Sequence, residues 1–134
     1  MTRRTYTVTV REPLVAMATG GAEDVVVLAA QLAEDFPGVR FIGVIAATEP
    51  DDLEAALVAL APVLAEVIFT ASADPDAVAG DVLAMYVLEQ GVMGQDFVFT
   101  VPLLTDATLY AIDVLVEGPT TGWEGTAVLV LDLS

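Results

Sequence analysis

The sequence predicts an α/β fold, a three-layer α/β/α sandwich around a mostly parallel sheet of about six strands with an antiparallel N-terminal edge strand. Three observations carry that expectation. Runs that are apolar throughout, such as Phe41 to Ala46, suit strands covered on both faces of a parallel sheet. Between them lie segments whose apolar residues recur at helical spacing. At the start, Tyr6 to Val10 alternates with period two, as a half-exposed edge strand does.

Taken in order, Arg11-Glu12-Pro13 reads as a tight turn into a buried strand, Leu14 to Ala18. Two glycines, Gly20 and Gly21, break that run. From Ala22 the positions Val25, Leu28, Ala29, Leu32 and Phe36 share one helical face, with Glu34 and Asp35 outside and Pro37-Gly38 as the stop. Phe41 to Ala46 is the next buried strand. Asp51 or Asp52 opens a helix with Leu53, Leu57, Leu60 and Leu64 inward, followed by a strand at Val67 to Thr70. Asp74-Pro75 should start a third helix, Pro75 sitting in the first turn where a missing N–H is harmless, with Val78, Val82, Met85 and Tyr86 inward. Met85, Tyr86 and Met93 read as packing residues. Phe97 to Val101 is a strand, and Thr105 or Asp106 caps a helix with Leu109, Ile112 and Val116 inward. Thr126 to Leu131 closes the sheet after a loop, Glu117 to Gly125, that carries Trp123. The crossovers should be right-handed. Residues 1–134 read as one domain, large enough to bury about two-thirds of the unfolded surface.

Composition narrows the chemistry. The chain has no cysteine and no histidine, which excludes disulfides, thiolate and imidazole metal sites, and Ser-His or Cys-His nucleophile pairs. Twenty Asp and Glu stand against four arginines and no lysine, a formal net charge of −16. Such a surface repels nucleic acid and anionic membrane, because phosphate-backbone binding depends on Lys and Arg. Arg3, Arg4, Arg11 and Arg40 all lie in the first third, where any anion site should draw on them. A hydrophobic fraction of 56% with mean hydropathy +0.73 is incompatible with a disordered acidic chain. The apolar run Ala55 to Ala65 is interrupted by Pro62 and falls short of the ~20 residues of a membrane span. The N-terminus alternates where a signal peptide has an unbroken apolar core, so a cytoplasmic location is expected.

Three places could carry a site, each with a plainer reading beside it. Thr19, Gly20 and Gly21 form a glycine turn between strand and helix, where backbone N–H groups and the helix dipole can hold a phosphate. Glu23 and Asp24 follow at once and would repel one, which favours a chain reversal with Thr19 as a cap. Glu49, Asp51 and Asp52 stand at a strand's carboxyl end, the edge where open α/β sheets place ligands, and could hold Mg²⁺ through oxygen. Helix capping accounts for the same acids. Thr70, Ser72 and Asp74 at the next strand exit could rim a crevice for a cofactor, or cap the helix before Pro75.

In segment order and register the chain resembles the C-terminal domain of the folylpolyglutamate synthase/dihydrofolate synthase family, within the Mur ligase superfamily of ATP-dependent amide-bond ligases. "YTVTVREPLVAMA" is similar to that family's opening hairpin, "LAAQLAEDFPGVRFIGVIA" to its first helix and following strand, "DDLEAALVALAPVLAEVIFTAS" to the next helix and strand, and "GTAVLVLDLS" to its final strand. The resemblance implies a Rossmann-like domain that closes over a nucleotide. It also exposes departures. The family's first buried strand ends Asp-x-Ala-His-Asn-Pro, where this chain has Met17-Ala18-Thr19-Gly20-Gly21-Ala22. The family's Asp-Lys-Asp corresponds to Thr48-Glu49-Pro50-Asp51-Asp52, without lysine, and its Ser-Pro-Arg to Asp74-Pro75-Asp76, an acid in the cation's place. The family's ligation also needs an ATPase domain with a Gly-Lys-Ser or Gly-Lys-Thr phosphate loop, which a chain without lysine lacks.

The expected function is therefore a stand-alone, non-catalytic binding or assembly module, working with a protein partner or as a homo-oligomer and requiring no cofactor. The alternative is a subunit or excised domain of an ATP-dependent glutamate ligase in folate metabolism, in which Mg and ATP would take part. A third reading, a small carboxylate and metal enzyme of unrelated chemistry, has no positive feature behind it.

Overall fold

The computed structural model describes residues 6–11, 14–48, 51–71, 77–91, 98–117 and 126–133. Among them the order is β1 (Thr7–Arg11), β2 (Leu14–Gly20), α1 (Ala22–Asp35), β3 (Arg40–Ala47), α2 (Asp51–Leu60), a 3-10 turn (Ala61–Val63), β4 (Leu64–Ala71), α3 (Gly80–Gln90), β5 (Val98–Leu103), α4 (Leu104–Glu117) and β6 (Thr126–Leu133). The six strands form one sheet in the order β1-β2-β6-β3-β4-β5. β1 is antiparallel to β2, and the other pairs are parallel.

That order dictates the layers. The steps β2 to β3, β3 to β4 and β4 to β5 all move across the sheet in one direction, and β5 to β6 returns. Crossovers of a single hand put the first three helices on one face and the fourth on the other. The packing follows that scheme. A larger core holds Val25, Leu28 and Leu32 of α1, Leu53, Leu57 and Leu60 of α2, and Leu83 and Val87 of α3, against Phe41, Ile45, Phe69, Leu129 and Leu131. A smaller core lies under α4, where Ala107 and Ala111 meet Val15, Ile42, Val44, Ile68, Val128 and Val130. Ala107 and Ala111, with Ile112 packed beside them, let the helix lie close to the sheet.

Several expected boundaries shift, each for a local reason. Leu64, expected on the inner face of α2, opens β4 instead: the helix ends at Leu60, and Pro62 lies in the 3-10 turn that leads into the strand. α3 begins at Gly80, five residues after Pro75, which lies outside the described residues with Ser72 and Asp74. Its buried face is Gly80, Leu83, Ala84 and Val87, whereas Val82 is exposed and Met85 is 61% exposed. The stretch "VLAMYVL" is apolar all round, so spacing alone could not fix its phase, which is set where Gly80 meets β4. Tyr86 is partly buried against the larger core, as expected. β5 passes directly into α4, so Thr105 and Asp106 lie inside the helix rather than at its cap. Leu109, expected inward, is 56% exposed, because the two alanines face the sheet. Met17, expected buried, is exposed on β2, beside the edge strand. Phe97, Met93 and the loop with Trp123 lie outside the described residues.

A bulge separates Phe41↔Leu64 from Ile42↔Glu66 in the β3–β4 ladder. Arg40 spans it, its Nε and Nη2 donating to the Leu64 carbonyl at 3.2 and 2.5 Å. Strand alternation puts Glu66 on the α4 face with Ile68. Burial pushes the Glu66 carboxyl above its ordinary value of 4.5. The fold thus favours the protonated form, so this contribution to stability is full below 4.5 and is lost as pH rises through the raised value. Glu66→Gln is expected to stabilise the protein against urea at about pH 7, with the advantage over wild type gone at about pH 3.5.

Candidate functional site

Parallel sheets present ligands at the carboxyl ends of their strands. Here that edge is formed by Thr19-Gly20 of β2, Asp132-Leu133 of β6, Ala46-Ala47 of β3 and Thr70-Ala71 of β4. Backbone hydrogen bonds knit it together: Thr48 N–H donates to the Leu133 carbonyl at 3.2 Å, and Val78 N–H to the Ala47 carbonyl at 2.9 Å.

The glycine turn is closed from within. Gly20 has φ +145°, a conformation L side chains rarely adopt, and a Cβ there would stand 2.6 Å from Asp24 Oδ2. The helix cap is Gly21, not Thr19, which remains in β2 with its side chain exposed. Asp24 accepts the Gly21 N–H at 3.2 Å and returns its own N–H to the Gly21 carbonyl at 3.1 Å. This is the acid half of a capping box, with a carboxylate lying over the turn. An incoming phosphate would have to displace Asp24 and face Glu23 in the same turn of helix.

A row of side chains on the α4 face crosses the same edge. Thr19 pairs with Asp132, Asp132 pairs with Ala46, and Thr70 follows Phe69, the partner of Ile45. Thr19 is exposed, Asp132 partly buried and Thr70 fully buried. Thr70 Oγ1 has no hydrogen-bond partner among the described residues. Asp132 was not singled out from the sequence; its signal is a lone acid in the apolar strand "TAVLVLDL". An unsatisfied buried hydroxyl is costly, so Thr70→Val, nearly the same shape, is expected to be neutral or to stabilise by about 1 kcal/mol in urea denaturation. A loss of more than about 1 kcal/mol would show that the hydroxyl has a partner.

The other candidates separate. Asp51 and Asp52 open α2, while Glu49, Ser72 and Asp74 lie outside the described residues. Among the described residues no group of three acids is placed to hold a metal ion. Among the described residues, the arginines begin or end strands away from the carboxyl edge. Arg11 pairs with Leu14 at the amino end of β2, and Arg40 begins β3 with its guanidinium on the Leu64 carbonyl. Arg3 and Arg4 lie outside the described residues. Among the described residues no helix is long and apolar enough to cross a membrane.

The fold and this edge define an α/β domain with a mostly parallel sheet covered by helices on both faces. More particularly, the chain resembles the C-terminal domain of folylpolyglutamate synthases. It matches Mycobacterium tuberculosis folylpolyglutamate synthase complexed with ADP and AMPPCP with a TM-score of 0.79 and 26% identity, over 98% of this chain and 30% of that one. The same enzyme complexed with ADP gives 0.80 and 25%, with the same coverage. The bifunctional folylpolyglutamate synthase/dihydrofolate synthase of Yersinia pestis, at 13% identity and a TM-score of 0.66, shares the fold over 100% of this chain and 29% of that one. The chain thus spans about 30% of the length of the synthases it matches. No family model matches it, and no curated protein does.

Proposed function

We propose that the chain is a binding or assembly module built on the folylpolyglutamate synthase C-terminal fold, which does not hold a nucleotide at its own glycine turn. The observation that carries this reading is the Asp24 carboxylate seated on the Gly21 N–H, in the place a phosphate would need. Its remaining features agree. The edge carries Asp132 and no described arginine, and the sequence has no lysine to counter a triphosphate. Such a module needs no cofactor, is not an enzyme by itself, and works in the cytoplasm through a protein partner or a second copy.

Native mass spectrometry of the purified chain with and without Mg-ATP, at low and high salt, tests it. A bare chain at both salts is the expected result. A stoichiometric nucleotide adduct would overturn the reading.

A second reading is favoured by the match along 98% of the chain to a synthase with bound nucleotide. In it the chain is one part of an ATP-dependent glutamate ligase, whose ATPase part makes an acyl phosphate that the glutamate amine attacks. Thr19 and Thr70 would then meet substrate only in the assembled enzyme. Glutamate ligation restored by adding an ATPase-domain partner would favour it over the first.

A further inference from the structure

The outer surface of the three-helix layer presents a feature that the fold does not use. Between α1 and α2 runs an open groove lined by Val26, Ala55, Val58, Ala59 and Glu54. Val26 and Val58 are 61% and 63% exposed, more than any core role allows. On α1 the exposed Ala30 continues the stripe one turn beyond Val26, and exposed Glu23 stands one turn before it. The groove is therefore apolar along its floor and acidic at its rim, through Glu54 and Glu23.

The charge around it selects the occupant. Every charged residue on the four helices is acidic, from Glu23 in α1 to Glu117 in α4. The described arginines belong to strands, and Arg40 is already engaged by the Leu64 carbonyl. A second copy of the chain would bring a helical surface of the same sign and lose by repulsion what the valines gain. A segment with an apolar stripe flanked by Lys or Arg matches both features, seating its stripe on Val26 and Val58 and its cations on the rim.

We infer that the α1–α2 groove docks a cationic amphipathic helix of a partner protein. The inference rests on the module reading and names the chemistry of its partner. Docking of this kind gains area from the two valines and on-rate and selectivity from the acidic rim.

The probe is a labelled helical peptide of about 18 residues with a leucine stripe flanked by lysine, followed by fluorescence anisotropy against the intact chain at about 0.15 M KCl. Two comparators replace lysine by glutamate, or leucine by serine. Saturable one-to-one binding of the Lys/Leu peptide is expected, with both comparators at least about tenfold weaker. Val58→Asp and Val26→Asp should each weaken binding about tenfold, because they bury an unpaired charge under the stripe. Val27→Asp adds the same charge to an exposed position of α1 outside the groove lining, and should leave binding unchanged. Circular dichroism confirms that each variant is folded.

If attraction to the net charge alone held the peptide, both groove variants would bind as well as wild type or better, and the proposal would be overturned. Equal binding of either comparator, no binding of the Lys/Leu peptide, or a dimer in sedimentation that Val58→Asp dissociates would overturn it too. The nucleotide adduct test is independent. A bare chain with no peptide binding sinks the docking site and spares the module reading, whereas an adduct sinks that reading.

Discussion

Phe41→Ala is expected to cost about 3–5 kcal/mol of unfolding free energy, read as a fall in the urea midpoint at unchanged slope. Phe41 is fully buried in the larger core at the start of β3. Its ring meets Phe36 edge-on, with centroids 6.2 Å apart, and Phe36 meets Tyr6 at 5.9 Å. The Tyr6 hydroxyl donates to Asp35 at the end of α1. One ring therefore supports the sheet interior, the C-terminal end of α1 and the approach to the edge strand. Removing it leaves a cavity bounded by Leu64 and Ala127, its neighbours in the ladder, which the parallel strands cannot collapse to fill. Phe41→Leu should cost much less, about 1 kcal/mol. Equal losses for the two variants would mean that the aromatic chain, rather than the volume, provides the stability.

Gly80→Ala is expected to destabilise by about 3 kcal/mol, although alanine is the better helix former by about 1 kcal/mol. A Cβ at Gly80 would stand 2.5 Å from the Phe69 carbonyl oxygen, 2.8 Å from the Phe69 carbonyl carbon and 2.9 Å from Thr70 Cα. These are backbone atoms of a strand paired on both sides, by β3 and β5, so they cannot move aside cheaply. The two effects have opposite signs, which makes urea denaturation decisive. A destabilised variant shows that α3 is seated on β4 at Gly80; a stabilised one shows that the helix starts free of the strand.

The architecture was legible from the sequence because the runs Phe41 to Ala46 and Thr126 to Leu131 are apolar on both faces, which only a covered parallel sheet accommodates. The starts of α1 and α2 were legible because Thr19 to Gly21 interrupts one apolar run and Thr48 to Asp52 follows another. Where the pattern has no polar break, it failed. In "VLAMYVL" four residues of one face and three of the other look alike, and the true phase comes from the Gly80 contact with β4, a tertiary fact. α4 divides: Ile112 packs on the smaller core as its spacing predicts, whereas Leu109 is exposed and Ala107 and Ala111 face the sheet. At the site, the acids after the glycine turn are legible as a helix start, and the structure seats Asp24 on the Gly21 N–H. The Thr70 hydroxyl is legible only as part of a rim, since its burial without a partner among the described residues depends on the fold around it. Asp132 was passed over because register, not spacing, places it between Thr19 and Ala46.

The strand order has a consequence for how the molecule comes into being. β6, the last of the described strands in sequence order, lies between β2 and β3, among the earliest. During vectorial synthesis β2 and β3 emerge long before the strand that joins them, each with an open ladder and apolar flanks. The β1–β2 hairpin and the β3–β4–β5 unit cannot merge into one sheet until Thr126–Leu133 has left the ribosome and threaded between them. Formation of the full sheet is therefore coupled to the synthesis of β6, with long-range pairing as its closing step.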